Sequence, residues 1–520
     1  MNLSTMRSIS SPGFLPVLPA TVAYRRIGWL FTIAWGAFII FRRLLREGMW
    51  SDGLIYASIA RNMAIGKGSF WSPVFAHSFY LPYNQTEVFY EHPPLQFYLQ
   101  SWFFRFLGDS YATERIYCFV VILLIITLMV QLWWRMVPAD HPLHRFEWLP
   151  VLILFTCRLT EWTYAQNYLD ATMSLFCLLT VNYTIAGWQT PKRSLLKASG
   201  AVLALFAAFL TKGPVALHVL AVPGLLGLAY YWPVKIGPAF RWTFLLVGGF
   251  GLLLTLVLLY DPARLFLQSY FNQQVLAALS NKREVIPTTA GFFGRAFILK
   301  IVVINSAPAL VLMGILWVLN RFGFKTKASV SPLSGMIRFY AALCLTSTLP
   351  IMATTKQFDY YVVPALPYLS LGLAAWIGPQ LLTAIQAMKL SLRRLRVIRT
   401  VGGLACVTTV LYGIAIAGTP YHSYRAILSD VTKIGSIVSP GLQLGVCPEI
   451  MADPLLHGYM QRYHQLELTT LNTKPVFFLT NERCEPSRQL AQSGYQPMAV
   501  PLKRYSLYRR STPVSPTKRQ

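Results

Sequence analysis

Long apolar runs set the rhythm of this chain. The stretch Cys118 to Trp134, "CFVVILLIITLMVQLWW", carries no charge, and similar runs recur along most of the length. About 18 to 20 consecutive apolar residues cross a hydrocarbon core as a helix. Walking the hydropathy places about eleven such spans, centred near Ala34, Ile125, Ile153, Phe176, Leu205, Val222, Leu252, Met313, Leu345, Leu371 and Thr408. The pattern predicts a polytopic α-helical membrane protein whose first helix, with its core at Ile27 to Ile40, is retained rather than cleaved. Shorter patterns fill the gaps. In "SDGLIYASIARNMAIGKG", Ile55, Ile59 and Met63 recur at i, i+4 spacing, which predicts a helix lying along the membrane surface within a long first loop. A second long loop contains "RLFLQSYFNQQVLAALSNKRE", also helical by pattern. Beyond the last span, "LQLGVC" and "PVFFLT" read as strands separated by polar helical stretches. The organisation predicted is a cytoplasmic segment over 1–26, a membrane region over 27–418, a small external α/β domain over 419–510 and a disordered tail, "STPVSPTKRQ", over 511–520.

Charge orients this scheme. There are 46 Lys and Arg against 19 Asp and Glu, a formal net charge of +27. In a soluble chain that excess would point to nucleic acid; in a membrane protein it marks cytoplasmic loops. One set of loops holds Arg25 and Arg26, Arg135 and Arg145, Lys192, Arg193 and Lys197, Lys235 and Arg241, Arg321, Lys325 and Lys327, then Lys389 and the Arg393–Arg399 cluster. The alternate set holds Asp52, Glu87, Glu91, Glu114, Asp170, Asp261, Glu284 and Asp359. The first set is placed in the cytoplasm. The acidic loops and the α/β domain then lie outside.

The acidic face gathers the residues able to do chemistry. Asp52 and Tyr56 open the first-loop helix. Glu91 and His92 precede a double proline in "FYEHPPLQFYLQ", where Pro93 can start a helix and fix how its neighbours point. Asp170 sits at the mouth of the fourth span, Lys212 ends the fifth in "FLTKGPVAL", and Lys356 and Tyr361 lie in "TTKQFDYYVVPALP". Each has a plainer reading. Ser51, Asp52 and Asp170 suit helix N-caps, and Lys212-Gly213 suits a helix C-terminus, where the dipole favours a cation and glycine tolerates the turn.

Taken in order, these features resemble the GT-C class of membrane glycosyltransferases. The nearest branch is the bacterial one related to protein O-mannosyltransferases and the lipid A aminoarabinose transferase. The strongest local likeness is "YEHPPLQFYLQSWFFRFLG" followed by "ERIYCFVV". The resemblance implies transfer of a sugar from a polyprenyl-phosphate carrier to an acceptor on the external face of a bacterial inner membrane. That acceptor is a glycolipid such as lipid A, a polysaccharide or a protein. It implies that Lys212 and Lys356 offset phosphate charge and that Tyr56 donates to phosphate. Asp52 would serve as base or orient the acceptor, and Asp170 would be a second acid. The chain departs from the pattern at Gly53, where Glu is common, at Ile55, where Arg is common, and at His92, where Lys is common. A metal held in that branch by Glu, His and Tyr would meet Glu91 and Tyr361 here, but Gln274 stands at the His position and is a poor zinc ligand. No tightly held zinc is expected; a divalent metal stays open, with His92 as the substitute ligand.

The competing reading is a transporter or flippase of lipid-linked sugars, which would favour internal repeats and mid-membrane ionisable groups. Nucleic acid is not an expected partner. Of seven cysteines, Cys118, Cys157, Cys177, Cys344 and Cys406 lie in or beside apolar runs, whereas Cys447 and Cys484 lie in the external domain and are expected to form a disulfide. "NQT" at Asn84 is a formal glycosylation sequon, relevant only in a eukaryotic host.

Overall fold

The structure is a computed structural model, and it describes residues 18–76, 87–230, 236–280, 294–323, 333–354, 356–482, 484 and 487–511. Asn84, Lys235, Glu284, Lys325, Lys327 and the tail beyond Ser511 lie outside the described residues, as does most of the segment before Leu18. The principal helices in chain order are α1 Leu18–Leu44, α2 Ser51–Ala64, α3 Leu95–Leu107, α4 Tyr111–Met136, α5 Trp148–Thr156, α6 Arg158–Thr163, α7 Leu169–Gln189, α8 Ser194–Lys212, α9 Val222–Tyr230, α10 Ile236–Leu258, α11 Asp261–Tyr270, α12 Phe297–Val318, α13 Ser334–Thr348, α14 Leu366–Ala387, α15 Leu392–Ile416, α16 Arg425–Gly435 and α17 Pro454–His464. The chain divides into two compact units. One comprises Met1–Arg42, Phe119–Ala165 and Leu169–Ile416; the other comprises Arg43–Cys118, Gln166–Tyr168 and Ala417–Gln520.

Among the described residues, nine segments are long and apolar enough to cross a membrane. They account for the expected spans with two differences. The span expected at Ile153 is only the nine-residue α5, because Cys157 is extended and breaks the helix before α6. The spans expected at Leu205 and Val222 fall in one helical stretch, Pro191–Tyr230. Gly213, at φ 75°, interrupts that stretch and turns α8 into a 3₁₀ segment before α9. Small residues permit close packing in this membrane unit. A Cβ on Gly187 of α7 would collide with Trp242 of α10, and one on Gly249 would meet Val202 of α8 at 2.6 Å. Gly28 and Gly36 of α1 are covered by Trp148 and Phe155 of α5 in the same way, which is how bilayer helices gain contact without a hydrophobic drive.

The second unit contains the expected strands and more. β1 Gln443–Val446 and β3 Phe477–Thr480 are the two short apolar runs; β2 Glu467–Thr469, β4 Tyr495–Pro497 and β5 Ser506–Arg510 complete a sheet of order β2-β1-β3-β5-β4. β1 pairs in parallel with β2 and β3, and β5 is antiparallel to β3 and β4. Leu444, Val446, Leu468 and Leu479 are buried against Ile427, Val431 and Ile434 of α16. Cys447 and Cys484 are disulfide-bonded with Cα atoms 6.1 Å apart. The first-loop helix forms as its periodicity predicts, but it does not lie open: every residue of α2 except Asp52 and Ala64 is buried. Ala57 and Ala60 pack on Phe104 of α3, while Leu54 joins the core of the α/β region. Gly458 of α17 comes close enough that a Cβ there would stand 2.9 Å from the Leu54 Cβ.

Candidate functional site

Each unit groups several of the residues singled out in the sequence. In the membrane unit, Asp170 lies in the first turn of α7 and Lys212 ends α8, and their side chains pair directly. The carboxylate is 2% exposed and the ammonium 10%, so neither partner reaches much water. Lys212 Nζ also lies 4.8 Å from the ring centroid of Tyr361 and 5.6 Å from that of Tyr360, both within cation–π range. The aromatic group continues: Phe358 stacks on Tyr360 at 5.2 Å and meets Tyr361 edge-on at 5.6 Å, and Lys356 Nζ sits 5.7 Å from the Phe358 ring. Gln357 holds this segment by donating to Arg295 O and Thr354 O and accepting from Ile298 N. The C-terminal reading of Lys212-Gly213 is correct as far as the backbone goes: Gly213 takes the positive φ, and Tyr270 O–H donates to Lys212 O across it. It is incomplete, because the Lys212 ammonium is spent on Asp170 rather than on helix carbonyls. An ammonium has three donors; with one on Asp170, two are left for an incoming anion.

In the second unit, Asp52 is not the N-cap of α2. Trp50 occupies that position, without a side-chain cap, and its N–H goes to Gln166 Oε1 at 2.7 Å. Asp52 therefore sits half-buried in the first turn, accepting from Ser51 Oγ at 3.4 Å. Gly53 explains itself: a Cβ there would run into Gln166 O and the Met49 side chain. Pro94, rather than Pro93, caps α3. The turn before it carries Glu91 and His92, both half-buried, and sets the His92 ring edge-on to Tyr56 at 5.8 Å. Phe89 and Phe97 close the group at 6.5 and 5.5 Å from Tyr56.

Sequence reasoning missed two groups of residues. Asn167, in a left-handed conformation at φ 57°, donates to Gly53 O and Gln100 Oε1 and accepts from Gln96 and Gln100. This ties α2 and α3 to one turn. The other group is ionic. Arg462 of α17 pairs with Glu114 at 2.8 Å and Asp109 at 2.6 Å and donates to Ser110 O, while Arg61 of α2 lies 3.6 Å from Asp109 and donates to Gln461 O. Burial opposes the charge on Arg462, but Glu114 and Asp109 outweigh it and hold the guanidinium above its ordinary pKa; for Arg61 burial wins, and the pKa is lowered. The one available signal was Arg61 itself, a charge inside an otherwise small and apolar helix.

Gln274 is buried in a π-helical turn, Phe271–Leu276, and neither of its amide atoms has a hydrogen-bond partner among the described residues. A carboxamide is a poor ligand for a dication, so no step is derived through a metal. Elsewhere among the described residues, the group with metal-ligand spacing is Cys447, Glu449 and Cys484, whose two sulfurs are bonded to each other.

These features define a polytopic α-helical protein in which nine segments, among the described residues, are long and apolar enough to cross a membrane. Among solved structures, the chain is similar to ArnT from Cupriavidus metallidurans bound to undecaprenyl phosphate, with a TM-score of 0.59 and 16% identity, covering 92% of this chain and 97% of that one. The same protein in the apo state gives 0.57 at 15% identity, over 91% and 95%. At such identity the likeness is one of fold. No protein-family profile matches the chain, and no curated protein matches it.

Proposed function

We propose that this protein is a glycosyltransferase that moves a sugar from a polyprenyl-phosphate carrier to an acceptor on the external face of a bacterial inner membrane. The observation that carries the reading is the buried Asp170–Lys212 pair framed by Tyr360 and Tyr361, in a fold shared with a protein bound to undecaprenyl phosphate. An isolated ion pair in a membrane unit is expensive and marks function more readily than stability. Lys212, with Lys356, meets the carrier phosphate and offsets the charge that grows as the glycosidic bond breaks. Asp170 holds the Lys212 ammonium in place. In the other unit, Tyr56 and His92 offer a hydroxyl and an imidazole as groups suited to a phosphate, and Glu91 lies in the same turn as His92.

The step is a single displacement with inversion. An acceptor oxygen forms a bond to the anomeric carbon, the bond from that carbon to the phosphate oxygen breaks, and the carrier leaves as its phosphate. Asp52, half-exposed in the first turn of α2, takes the acceptor proton when the acceptor is a hydroxyl. A sugar hydroxyl on a glycolipid such as lipid A, a polysaccharide or a protein side chain fits this chemistry, whether the transferred unit is a hexose or a pentose. Transfer of radiolabelled sugar by the purified protein tests the reading. Asp52→Asn is expected to lower turnover by about a hundredfold or more with donor binding nearly intact. Full activity of that variant on the native acceptor would remove Asp52 from the base role.

A further inference from the structure

A cavity of about 430 Å³ opens at the basic end of the membrane unit, lined by Arg25, Arg26, Trp29, Leu30, Ile33 and Arg399. Its cause lies in how α1 meets α15. The two helices touch along small residues: Cys406 Sγ reaches Leu30 O at 3.3 Å, Thr409 Oγ1 reaches Ala34 O at 3.4 Å, and a Cβ on Gly402 would meet the Leu30 Cβ at 3.1 Å. Toward the basic end the residue facing α1 changes from Gly402 to Arg399, and the groove opens there.

The lining is divided by chemistry. Leu30, Ile33 and the Trp29 ring make an apolar floor about one helical turn deep. The mouth carries three guanidinium groups. Arg25 is already engaged: its Nε lies 2.5 Å from Glu147 Oε1, a fully buried carboxylate that also accepts from Trp29 Nε1 at 2.9 Å. That bond fixes the indole at the mouth. Three positive charges less one negative leave the groove with a net +2, carried by Arg26 and Arg399, both exposed.

We propose that this groove is a binding site for an anionic phospholipid, with its phosphodiester between Arg26 and Arg399 and its upper acyl chain over Trp29, Leu30 and Ile33. Charge complementarity selects the occupant. A net +2 at the end of membrane spans favours a phosphate anion, and an apolar floor continuous with the hydrocarbon favours one attached to a lipid tail. The lining shares no residue with the groups assigned to sugar transfer, and the proposal does not depend on the reading of their chemistry.

The test is native mass spectrometry of the full chain in detergent, titrated separately with phosphatidylglycerol and phosphatidylcholine. The wild-type protein is expected to retain phosphatidylglycerol in preference. Each basic residue at such a surface is worth about fivefold in affinity, so Arg26→Gln/Arg399→Gln should weaken retention by roughly 25-fold. Arg393→Gln/Arg394→Gln, which alters the same helix outside the groove, should change it by less than about threefold. All the substituted arginines are exposed, so thermal melting should be unaltered, and this is checked alongside. Equal losses in both double variants would reduce the effect to general surface charge and overturn the site. Equal retention of the two lipids would do the same. Displacement of phosphatidylglycerol by inorganic phosphate at equal concentration would leave an ion site without a lipid. Retention only after removal of residues 1–17 would make the chain's own N-terminal segment the occupant.

Discussion

In the membrane unit the Asp170 and Lys212 charges form a single buried pair, ringed by two phenols. In the other unit it is an array of four, Arg61, Asp109, Glu114 and Arg462, tied further to Ser110 O and Gln461 O. The array is closer to saturation: Arg462 spreads its donors over Glu114, Asp109 and Ser110 O, the charges sum to zero, and Phe104 covers the Arg462 face at 4.9 Å. The pair is not saturated, since its ammonium keeps donors to give. Saturation is what a scaffold needs, because a satisfied network resists rearrangement. An incompletely used ammonium is what a binding group needs.

The largest effects should come from cutting each arrangement at one member. Arg462→Met leaves Glu114 buried without its partner and should cost roughly 3 to 5 kcal/mol of stability, read as a fall in melting temperature. Adding Glu114→Gln should recover much of that loss, and sugar transfer per folded molecule should return with it. Lys212→Met should be rescued in stability by Asp170→Asn in the same way, yet transfer should stay down by about a hundredfold or more. If the second double variant transfers sugar normally, the pair is only a scaffold and the comparison fails.

A smaller difference concerns sulfur. Five cysteines are free, four of them buried, while Cys447 and Cys484 close a loop of 37 residues in the α/β sheet region. Reduction should destabilise that region by about 3 to 4 kcal/mol on the chain-entropy estimate. The expected signature is a lower-temperature melting phase in reductant that Cys447→Ser/Cys484→Ser reproduces without it.

The smallest effect is one of pH. His457 of α17 is buried and donates to Met451 O at 2.9 Å; burial lowers its pKa to about 4 from an ordinary 6.5. Between those values the unfolded chain binds the proton and the folded chain does not. Stability therefore falls as pH drops from about 6.5 toward 4, by at most about 3 kcal/mol, and is flat for this group above 6.5. His457→Gln should flatten the melting profile over that window. An unchanged slope would move the acid sensitivity to another group.

Much of this was legible in the chain. Apolar runs located the spans because a bilayer demands length, and the acid, histidine and double proline before α3 located a turn because proline restricts its neighbours. The expected pairing of Cys447 with Cys484 needed only their isolation from the other cysteines. Two spans were misjudged where hydropathy persists through a backbone break, at Cys157 and Gly213. The burial of α2 was invisible because its second partner, α17, is distant in sequence, and small residues read equally well as helix formers or as contact points. Asn167 and Arg462 were missed for the same reason: their partners are set by the fold rather than by spacing.

That distance has a consequence for how the protein is made. The N–H and C=O of Met49 are both bonded to the Tyr459 hydroxyl, 410 residues later, and Arg61 waits 400 residues for Gln461. At ribosomal speeds of roughly 5 to 20 residues per second, the segment carrying Asp52 emerges about 20 to 80 seconds before the helix that completes its surroundings. During that interval Arg61 has no Gln461 to bond and the Leu54 face has no α17 to cover it. A nascent chain at this stage is a natural client for membrane-associated chaperones, and a message truncated before Pro454 would leave its product permanently at that stage.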